Sequence, residues 1–176
     1  IIGMAIVMRL LGVSKGVIGL EENKKFLKPI LEEAVAEHGR GADIKVQLLK
    51  TKYPQGGEKM LITAITGREV PSGGRSYDVG AVVQNIATLV MLGRLLPLGQ
   101  GLIERVVTIT GEGVKQPGNY LVPFGTPLGF VLEQVGFVGD TSRVILGGPM
   151  MGTAVSSLDV PITKATTAIV VLPVEA

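Results

Sequence analysis

The chain has 176 residues and a net charge of +2, with 46% hydrophobic and only 18% charged residues. This length allows one or two domains with a real core, and the lysines and arginines are scattered without interleaved aromatic residues, which argues against nucleic-acid binding. The absence of cysteine excludes disulfides, thiolate zinc sites and iron–sulfur clusters held by this chain.

Patterned elements begin at the first residue. Ile1 to Leu11 is apolar except for Arg9 and predicts a buried helix, and Gly16 to Leu20 predicts a short strand. Lys24 to His38 carries apolar residues at helical spacing, so that either the helix starts near Pro29 or it kinks there. Ile44 to Leu49 predicts the next strand, which completes a βαβ unit. His38, the single histidine, lies at the predicted helix end and cannot form a metal site by itself.

Polar residues follow both predicted strands, at Glu21 to Lys24 and at Tyr53 to Lys59. In open parallel sheets, ligands bind beyond the carboxyl ends of the strands, so these two segments mark a candidate site. The chain has no G-x-G-x-x-G after a strand and no G-x-x-x-x-G-K-[ST] motif. A nucleotide bound here would therefore need another arrangement.

The second of these segments contains a glycine pair, Gly56-Gly57, directly before a predicted helix that Gly67 ends. Such a turn lets a ligand approach bare backbone, and the first N–H groups of the helix carry positive dipole charge. Glu58 and Lys59 add one carboxylate and one ammonium. The alternative is a plain loop without a ligand.

A third polar cluster interrupts the apolar stretch from Ala81 to Leu92, which predicts a helix. Gln84, Asn85 and Thr88 are spaced so that they share one side of that helix. They are either satisfied by neighbouring backbone or used on a ligand. The wider stretch from Ala81 to Ile103 contains these polar groups and Pro97, which excludes a membrane span.

Pro97 to Gly101 is the best domain boundary, and it divides the chain into residues 1–100 and 101–176. Beyond it, strands alternate with short turns, and one helix has an apolar face. Strand, strand, helix, strand, strand predicts a small β-grasp domain. The predicted strands are Arg105 to Thr110, Tyr120 to Phe124, Arg143 to Leu146 and Thr167 to Leu172, and the apolar face consists of Leu128, Val131, Leu132 and Val135.

The glycine-rich segment from Gly147 to Gly152 has two interpretations. It is either a flexible loop over a site, with two methionines as adaptable packing, or an ordinary glycine turn capped by core methionines.

Several motifs in the same order resemble one family. Tyr-Pro-Gln-Gly-Gly-Glu-Lys at 53–59, with Thr-Gly-Arg-Glu-Val-Pro at 66–71, resembles the RnfC family of the Rnf electron-transport complex and, more distantly, the NADH-oxidising flavoprotein of respiratory complex I. Gly-Gly-Pro-Met-Met-Gly at 147–152 and Asp-Val-Pro-Ile-Thr-Lys at 159–164 also resemble the RnfC family. The resemblance covers nearly the whole chain.

The resemblance implies an α/β fold in which the C-terminal part of an FMN- and NADH-binding domain precedes a soluble-ligand-binding β-grasp domain with a returning strand. It implies FMN as cofactor and NADH as substrate. The family's Val-x-Asn-x-x-Thr motif is matched at 83–88, with Gln84 standing where a second Asn is common. The implied cofactor-binding residues are Gly56, Gly57, Glu58, Lys59, Val83, Asn85 and Thr88, and no residue is assigned a catalytic or metal-binding role.

For the whole protein, the resemblance implies electron transfer between NADH, FMN and two 4Fe-4S clusters at the cytoplasmic face of a bacterial or archaeal inner membrane. Other subunits of the complex and, indirectly, ferredoxin are the implied partners. We expect the flavin's glycine-rich loop before Ile1 and the cluster cysteines after Ala176, so that the chain is a soluble central fragment, inactive alone. Two alternatives are the cobalamin reductase of propanediol utilisation, which has a similar sequence, and a cofactor-free protein-interaction module.

Overall fold

Two parallel strands organise the first hundred residues in the computed structural model of the chain, which describes residues 1–138 and 143–173. Strand β1 (Lys15–Glu21) pairs with β2 (Asp43–Leu49) in a register that runs from Lys15 opposite Asp43 to Glu21 opposite Leu49. A 3-10 helix (Glu22–Leu27) and α2 (Lys28–His38) connect the two strands. The predicted βαβ unit is therefore confirmed.

Pro29 lies in the first turn of α2, so the interpretation in which the helix starts near this proline is the right one. Proline is tolerated at this position because the first N–H groups of a helix have no partner within the helix. Leu31 and Val35 of α2 pack on Ile18 and Ile44 of the strands. The helix therefore covers one face of the two-stranded sheet.

Helix α1 (Ile2–Leu11) packs against α4 (Ile86–Leu95) through two glycines. A Cβ at Gly3 would overlap the Leu89 carbonyl oxygen, and one at Gly93 would lie 2.6 Å from the Gly3 nitrogen. The close approach of the two backbones requires both glycines.

The prediction that α1 is buried as a whole is wrong within the unit formed by residues 1–100. Only Gly3 and Met8 of α1 are buried, while Leu10 and Leu11 are 74% and 53% exposed. An apolar sequence gives no preferred direction for burial, so the side that packs is decided by where the glycines allow contact.

A five-stranded mixed sheet forms the second unit, residues 101–176. Its strands lie in the order β4-β3-β7-β5-β6, with β3 and β7 parallel and the other pairs antiparallel. The predicted β-grasp architecture is confirmed, and β6 is an additional strand too short for the sequence pattern to reveal. The strands are β3 (Glu104–Thr110), β4 (Gly118–Pro123), β5 (Arg143–Leu146), β6 (Thr153–Val155) and β7 (Ala168–Leu172).

Helix α5 (Leu128–Gln134) covers one face of this sheet and supplies much of its core. Leu128 and Leu132 are fully buried against the alternating residues Val107 and Ile109 of β3. All four residues of the predicted apolar face are buried, as the helical spacing indicates.

Arg105, which precedes these core residues on β3, is itself buried. Its Nη1 donates to the Lys164 carbonyl oxygen and so ties the turn before β7 to the start of β3. Desolvation by burial lowers the pKa of Arg105 from its usual value.

The loop between β5 and β6 exposes its two methionines. Met150 is 71% and Met151 82% exposed, so the interpretation as core methionines is wrong. The tight β5–β6 hairpin leaves the loop outside the sheet, where no neighbouring layer covers it.

Among the residues described, no helix is both long and apolar enough to cross a membrane.

Candidate functional site

The carboxyl ends of β1 and β2 lie side by side, because Glu21 is the partner of Leu49 in a parallel register. Beyond these ends, the backbone N–H of Asn23 donates to Thr51 Oγ1 at 3.1 Å. The two segments that follow the strands are thus tied together at one edge of the sheet. Ligands of parallel α/β sheets bind at this kind of edge.

The glycine turn at this edge presents unpartnered backbone. Helix α3 (Glu58–Thr66) begins after Gly57, its N-cap residue, without a side-chain cap. The N–H groups of Glu58, Lys59 and Met60 have no hydrogen-bond partner in the described part of the chain, since the first bond in this turn of helix is from Leu61 to Gly57. These three donors, with the positive end of the helix dipole, favour an anion or a carbonyl acceptor.

The space above the first glycine of the pair is open. A Cβ at Gly56 would meet no atom within 4 Å, whereas one at Gly57 would lie 3.1 Å from the Pro54 carbonyl oxygen. The turn is closed by the Gly57 N–H, which donates to that same carbonyl at 2.8 Å. A planar ligand could therefore lie against the backbone at Gly56 without displacing protein atoms.

Gln55, directly before the glycines, is a residue that sequence reasoning missed. It is only 3% exposed, and its Oε1 has no hydrogen-bond partner among the described residues. A buried acceptor without a donor costs about 1–3 kcal/mol, so this oxygen calls for a donor brought by a ligand or by water. A glutamine in a polar loop ordinarily lies at the surface, so the sequence offered no signal beyond its place before Gly-Gly.

Lys59 has a structural contact as well as its predicted one. Its Nζ donates to the Pro71 carbonyl oxygen at 3.3 Å, which draws the segment after α3 back along the helix. The Arg68 guanidinium, from the Gly-Arg pair of the motif, donates to the Val79 carbonyl oxygen at 2.8 Å. Both cations therefore hold the loop that connects α3 to α4.

The predicted helix from Ala81 to Leu92 is wrong at its start, because α4 begins only at Ile86. Asn85 is the N-cap, and its Oδ1 accepts a hydrogen bond from the Ala87 N–H at 3.0 Å. Residues 81–85 are outside any helix, so Gln84 does not share a helix side with Thr88. Asparagine is among the strongest N-cap residues, and the β-branched pair Val82-Val83 favours extended backbone before it.

The seven residues proposed from the sequence thus fall into two groups, each at the start of a helix. One group lies at the start of α3 and the other lies just before or within the first turn of α4. The first group consists of Gly56, Gly57, Glu58 and Lys59, and the second of Val83, Asn85 and Thr88. Their role in binding a cofactor stays a prediction.

Residues 1–138 and 143–173 contain no group of three or more His, Cys, Asp or Glu side chains placed to hold a metal ion.

Comparison with known families assigns both halves. The Nuo51 FMN-binding domain family matches residues 1–94, which contain the whole edge described above. The SLBB domain family matches residues 106–154, within the β-grasp unit.

Curated relatives, each the C subunit of a membrane oxidoreductase complex by name, match along most of the chain. Over 168 residues the chain is 46% identical to the protein of the proton-translocating ferredoxin:NAD(+) oxidoreductase complex of Clostridium ljungdahlii, covering 95% of the chain and 36% of that protein. It is 42% identical to the protein of the ion-translocating oxidoreductase complex of Erwinia tasmaniensis, covering 95% of the chain and 20% of that protein. It is 40% identical to the protein of the Na(+)-translocating ferredoxin:NAD(+) oxidoreductase complex of Acetobacterium woodii, covering 99% and 39%. The chain therefore spans less than two fifths of the length of each of these relatives.

The fold recurs in a solved structure. A chain of an NAD+-reducing [NiFe]-hydrogenase in the H2-reduced state superposes with a TM-score of 0.83 at 23% identity, covering 99% of this chain and 36% of that one. At this level of identity the likeness concerns the fold alone.

Proposed function

The chain belongs to the Nuo51 FMN-binding domain family over its first half, and on this premise we propose that it forms the central part of a flavoprotein that passes electrons between NADH and FMN in an Rnf-type, ion-translocating complex. The observation that carries the proposal is the uncapped start of α3 behind Gly56-Gly57, at the carboxyl edge of the parallel strands and inside the matched residues.

The residues at this edge fit a flavin and a nicotinamide. Three backbone N–H donors at the start of α3 suit carbonyl or phosphate oxygens. The open space above Gly56 suits a flat ring, and the orphaned Gln55 Oε1 suits an N–H donor. Both rings carry donors and acceptors of these kinds at their edges.

FMN, when bound, supplies the chemistry by exchanging a hydride with NADH and single electrons with a one-electron carrier. The chain's part is to hold and orient the rings. Gly56 and Gly57 provide bare backbone against which the isoalloxazine and nicotinamide lie. The dipole and N–H groups of α3 stabilise negative charge on a ligand, and Glu58 in the first turn of the helix limits how much negative charge the site accepts.

The start of α4 would hold further polar groups of FMN. Asn85 uses its Oδ1 as helix cap, so its amide nitrogen is the atom that can donate to a ligand. Thr88, one turn into α4, contributes a hydroxyl, and Val83 is half-buried before the helix. Lys59 can offer a phosphate the N–H bonds that its contact with Pro71 leaves over.

The assembly follows from the relatives by analogy. We place the chain in a peripheral subunit at the cytoplasmic face of the membrane, whose partners are the other subunits of the complex and, through them, ferredoxin. The 4Fe-4S clusters that take the electrons would be bound by cysteines outside these 176 residues, since the chain has none.

The test is to place a side chain in the open space at Gly56 of the full-length protein. Gly56→Leu meets no protein atom within 4 Å of its Cβ, so we expect normal folding with loss of bound flavin and of NADH oxidation. Gly148→Leu is the matched control, since a Cβ there is equally free of contacts. Full flavin content and full NADH oxidation in Gly56→Leu would show that the ligand lies elsewhere.

A further inference from the structure

Four lysines converge at the carboxyl edge of the β1–β2 sheet. Lys24 and Lys25 follow β1, and Lys50 and Lys52 follow β2. The register brings the two strand ends together, and the Asn23 N–H to Thr51 Oγ1 bond joins the segments between the lysine pairs. All four side chains are exposed. Residues 28 apart in sequence thus form one cationic surface, which we call the lysine edge.

The charge of the lysine edge is not neutralised by the protein. In the part of the chain that the structure describes, the only ion pairs within 4.0 Å join Lys28 to Glu32 and His38 to Glu37. Glu21, Glu22 and Glu58 belong to the same edge, but none of them reaches a lysine of the edge within that distance. Like charges held near one another repel, so an arrangement of this kind gains free energy when an anion binds.

The backbone and the neighbouring aromatic residues point to the kind of anion. Lys24 has φ −115° and ψ 17°, which interrupts the 3-10 helix and places this residue in the sparsely populated bridge region, where many active-site residues occur. Each lysine pair is followed by an exposed aromatic side chain, Phe26 at 68% and Tyr53 at 59% exposure. Cations beside flat apolar faces match a ligand that combines phosphate with a planar heterocycle.

We propose that the lysine edge is the phosphate-binding subsite of the nucleotide site, with Lys24 and Lys52 as the principal contacts and Lys25 and Lys50 as flanking charges. This inference rests on the proposed function, because it assigns residues to the phosphates of the ligands named there. It also explains how phosphate is held without a glycine-rich fingerprint or a P-loop, neither of which occurs in the chain. The lysines act as point charges and the start of α3 serves the rings.

The phosphate can come from either of two ligands, the monophosphate of FMN or the diphosphate of NADH. The shared chemistry is an organic phosphate dianion, and the two sources respond differently to one pair of variants of the full-length protein. The test variant is Lys24→Gln with Lys52→Gln. The control is Lys15→Gln with Lys45→Gln, which removes the same charge from exposed lysines at the amino end of β1 and within β2.

Three measurements are made on wild type, test variant and control. Flavin fluorescence follows the binding of FMN and of riboflavin, the phosphate-free probe, to the apoprotein. Steady-state kinetics give kcat and KM for NADH, and calorimetry follows the binding of inorganic pyrophosphate. Because hydrogen bonds to charged groups contribute about 1.5–3 kcal/mol, we expect the test variant to lose about tenfold or more in affinity for the phosphate that it binds.

Weaker FMN binding with unchanged riboflavin binding would assign the lysine edge to the flavin phosphate. A higher KM for NADH with unchanged kcat and FMN affinity would assign it to the dinucleotide. In both cases the test variant must also weaken pyrophosphate binding, and the control must resemble wild type. Equal loss of riboflavin and FMN, an equal effect in the control, or unchanged affinities throughout would overturn the proposal.

Failure of the proposed function is recognised separately. It fails if the wild-type full-length protein binds no flavin and oxidises no NADH. The lysine edge is then judged on pyrophosphate alone, which must bind to wild type and to the control and bind at least tenfold more weakly to the test variant.

Discussion

Asn85 stands where a structural and a ligand-binding role can be separated by two substitutions. Its Oδ1 caps α4 through the Ala87 N–H at 3.0 Å, while its amide nitrogen has no partner among the described residues. Asn85→Ala removes both groups. Asn85→Asp keeps an acceptor for the cap and removes only the donor.

The two variants should therefore differ in stability. Loss of an N-cap side chain costs about 1 kcal/mol, so Asn85→Ala should lower the free energy of unfolding by that amount. Asn85→Asp should leave it unchanged or raise it by roughly 0.3–1 kcal/mol, because a carboxylate at a helix N-terminus interacts favourably with the dipole. Both variants should weaken FMN binding, by about fivefold for one lost hydrogen bond of about 1 kcal/mol.

The assay combines urea unfolding of the chain, amide exchange in the first turn of α4 and flavin titration of the full-length apoprotein. Asn119→Asp is the control, since that side chain accepts its hydrogen bond from Thr108 Oγ1 at 2.8 Å in the β-grasp unit. If Asn85→Asp destabilised the chain as much as Asn85→Ala, the capping assignment would be wrong. If both variants bound FMN with wild-type affinity, Asn85 would be a helix cap and nothing more.

Three further predictions address the site and the two packed units. Glu58→Gln in the full-length protein should change kcat/KM for NADH by roughly tenfold through a charged contact while leaving unfolding unaltered; unchanged kinetics at limiting and saturating NADH, or the same change in the exposed control Glu69→Gln, would contradict this. Gly93→Ala should destabilise the α1–α4 contact by about 1–3 kcal/mol, because its Cβ would lie 2.6 Å from the Gly3 nitrogen; urea unfolding should show no such loss for Gly148→Ala, which meets no atom within 4 Å. Leu132→Ala, at 0% exposure, should cost about 2–5 kcal/mol in thermal or urea unfolding, far more than Phe130→Ala on the same helix at 54% exposure.

Local patterns were enough for the order of the elements. Alternation and helical spacing located both parallel strands, α3, β3 and the buried face of α5, because these features depend on residues a few positions apart. The start of α4 was missed because an apolar run does not say where a helix begins. There the decision fell to the capping hydrogen bond of Asn85.

The exposure of Met150 and Met151 could not be read from their hydrophobicity. Whether a methionine is buried depends on whether a second layer covers its loop, and the sheet order β4-β3-β7-β5-β6 leaves the β5–β6 turn outside the core. For the same reason α1, apolar along its length, is buried within its own unit at only two positions.

By itself, the sequence determined the βαβ unit, the β-grasp half, the glycine turn at 56–57 and the family. Only the tertiary structure decided that Asn23 meets Thr51, that Gln55 is buried with a free acceptor, that Lys59 holds Pro71 and that four lysines share one edge. Each of these facts joins residues through strand register or through the return of a loop. Periodicity reports which face of an element is apolar, whereas register and loop closure depend on interactions between distant parts of the chain, and only the folded structure specifies them.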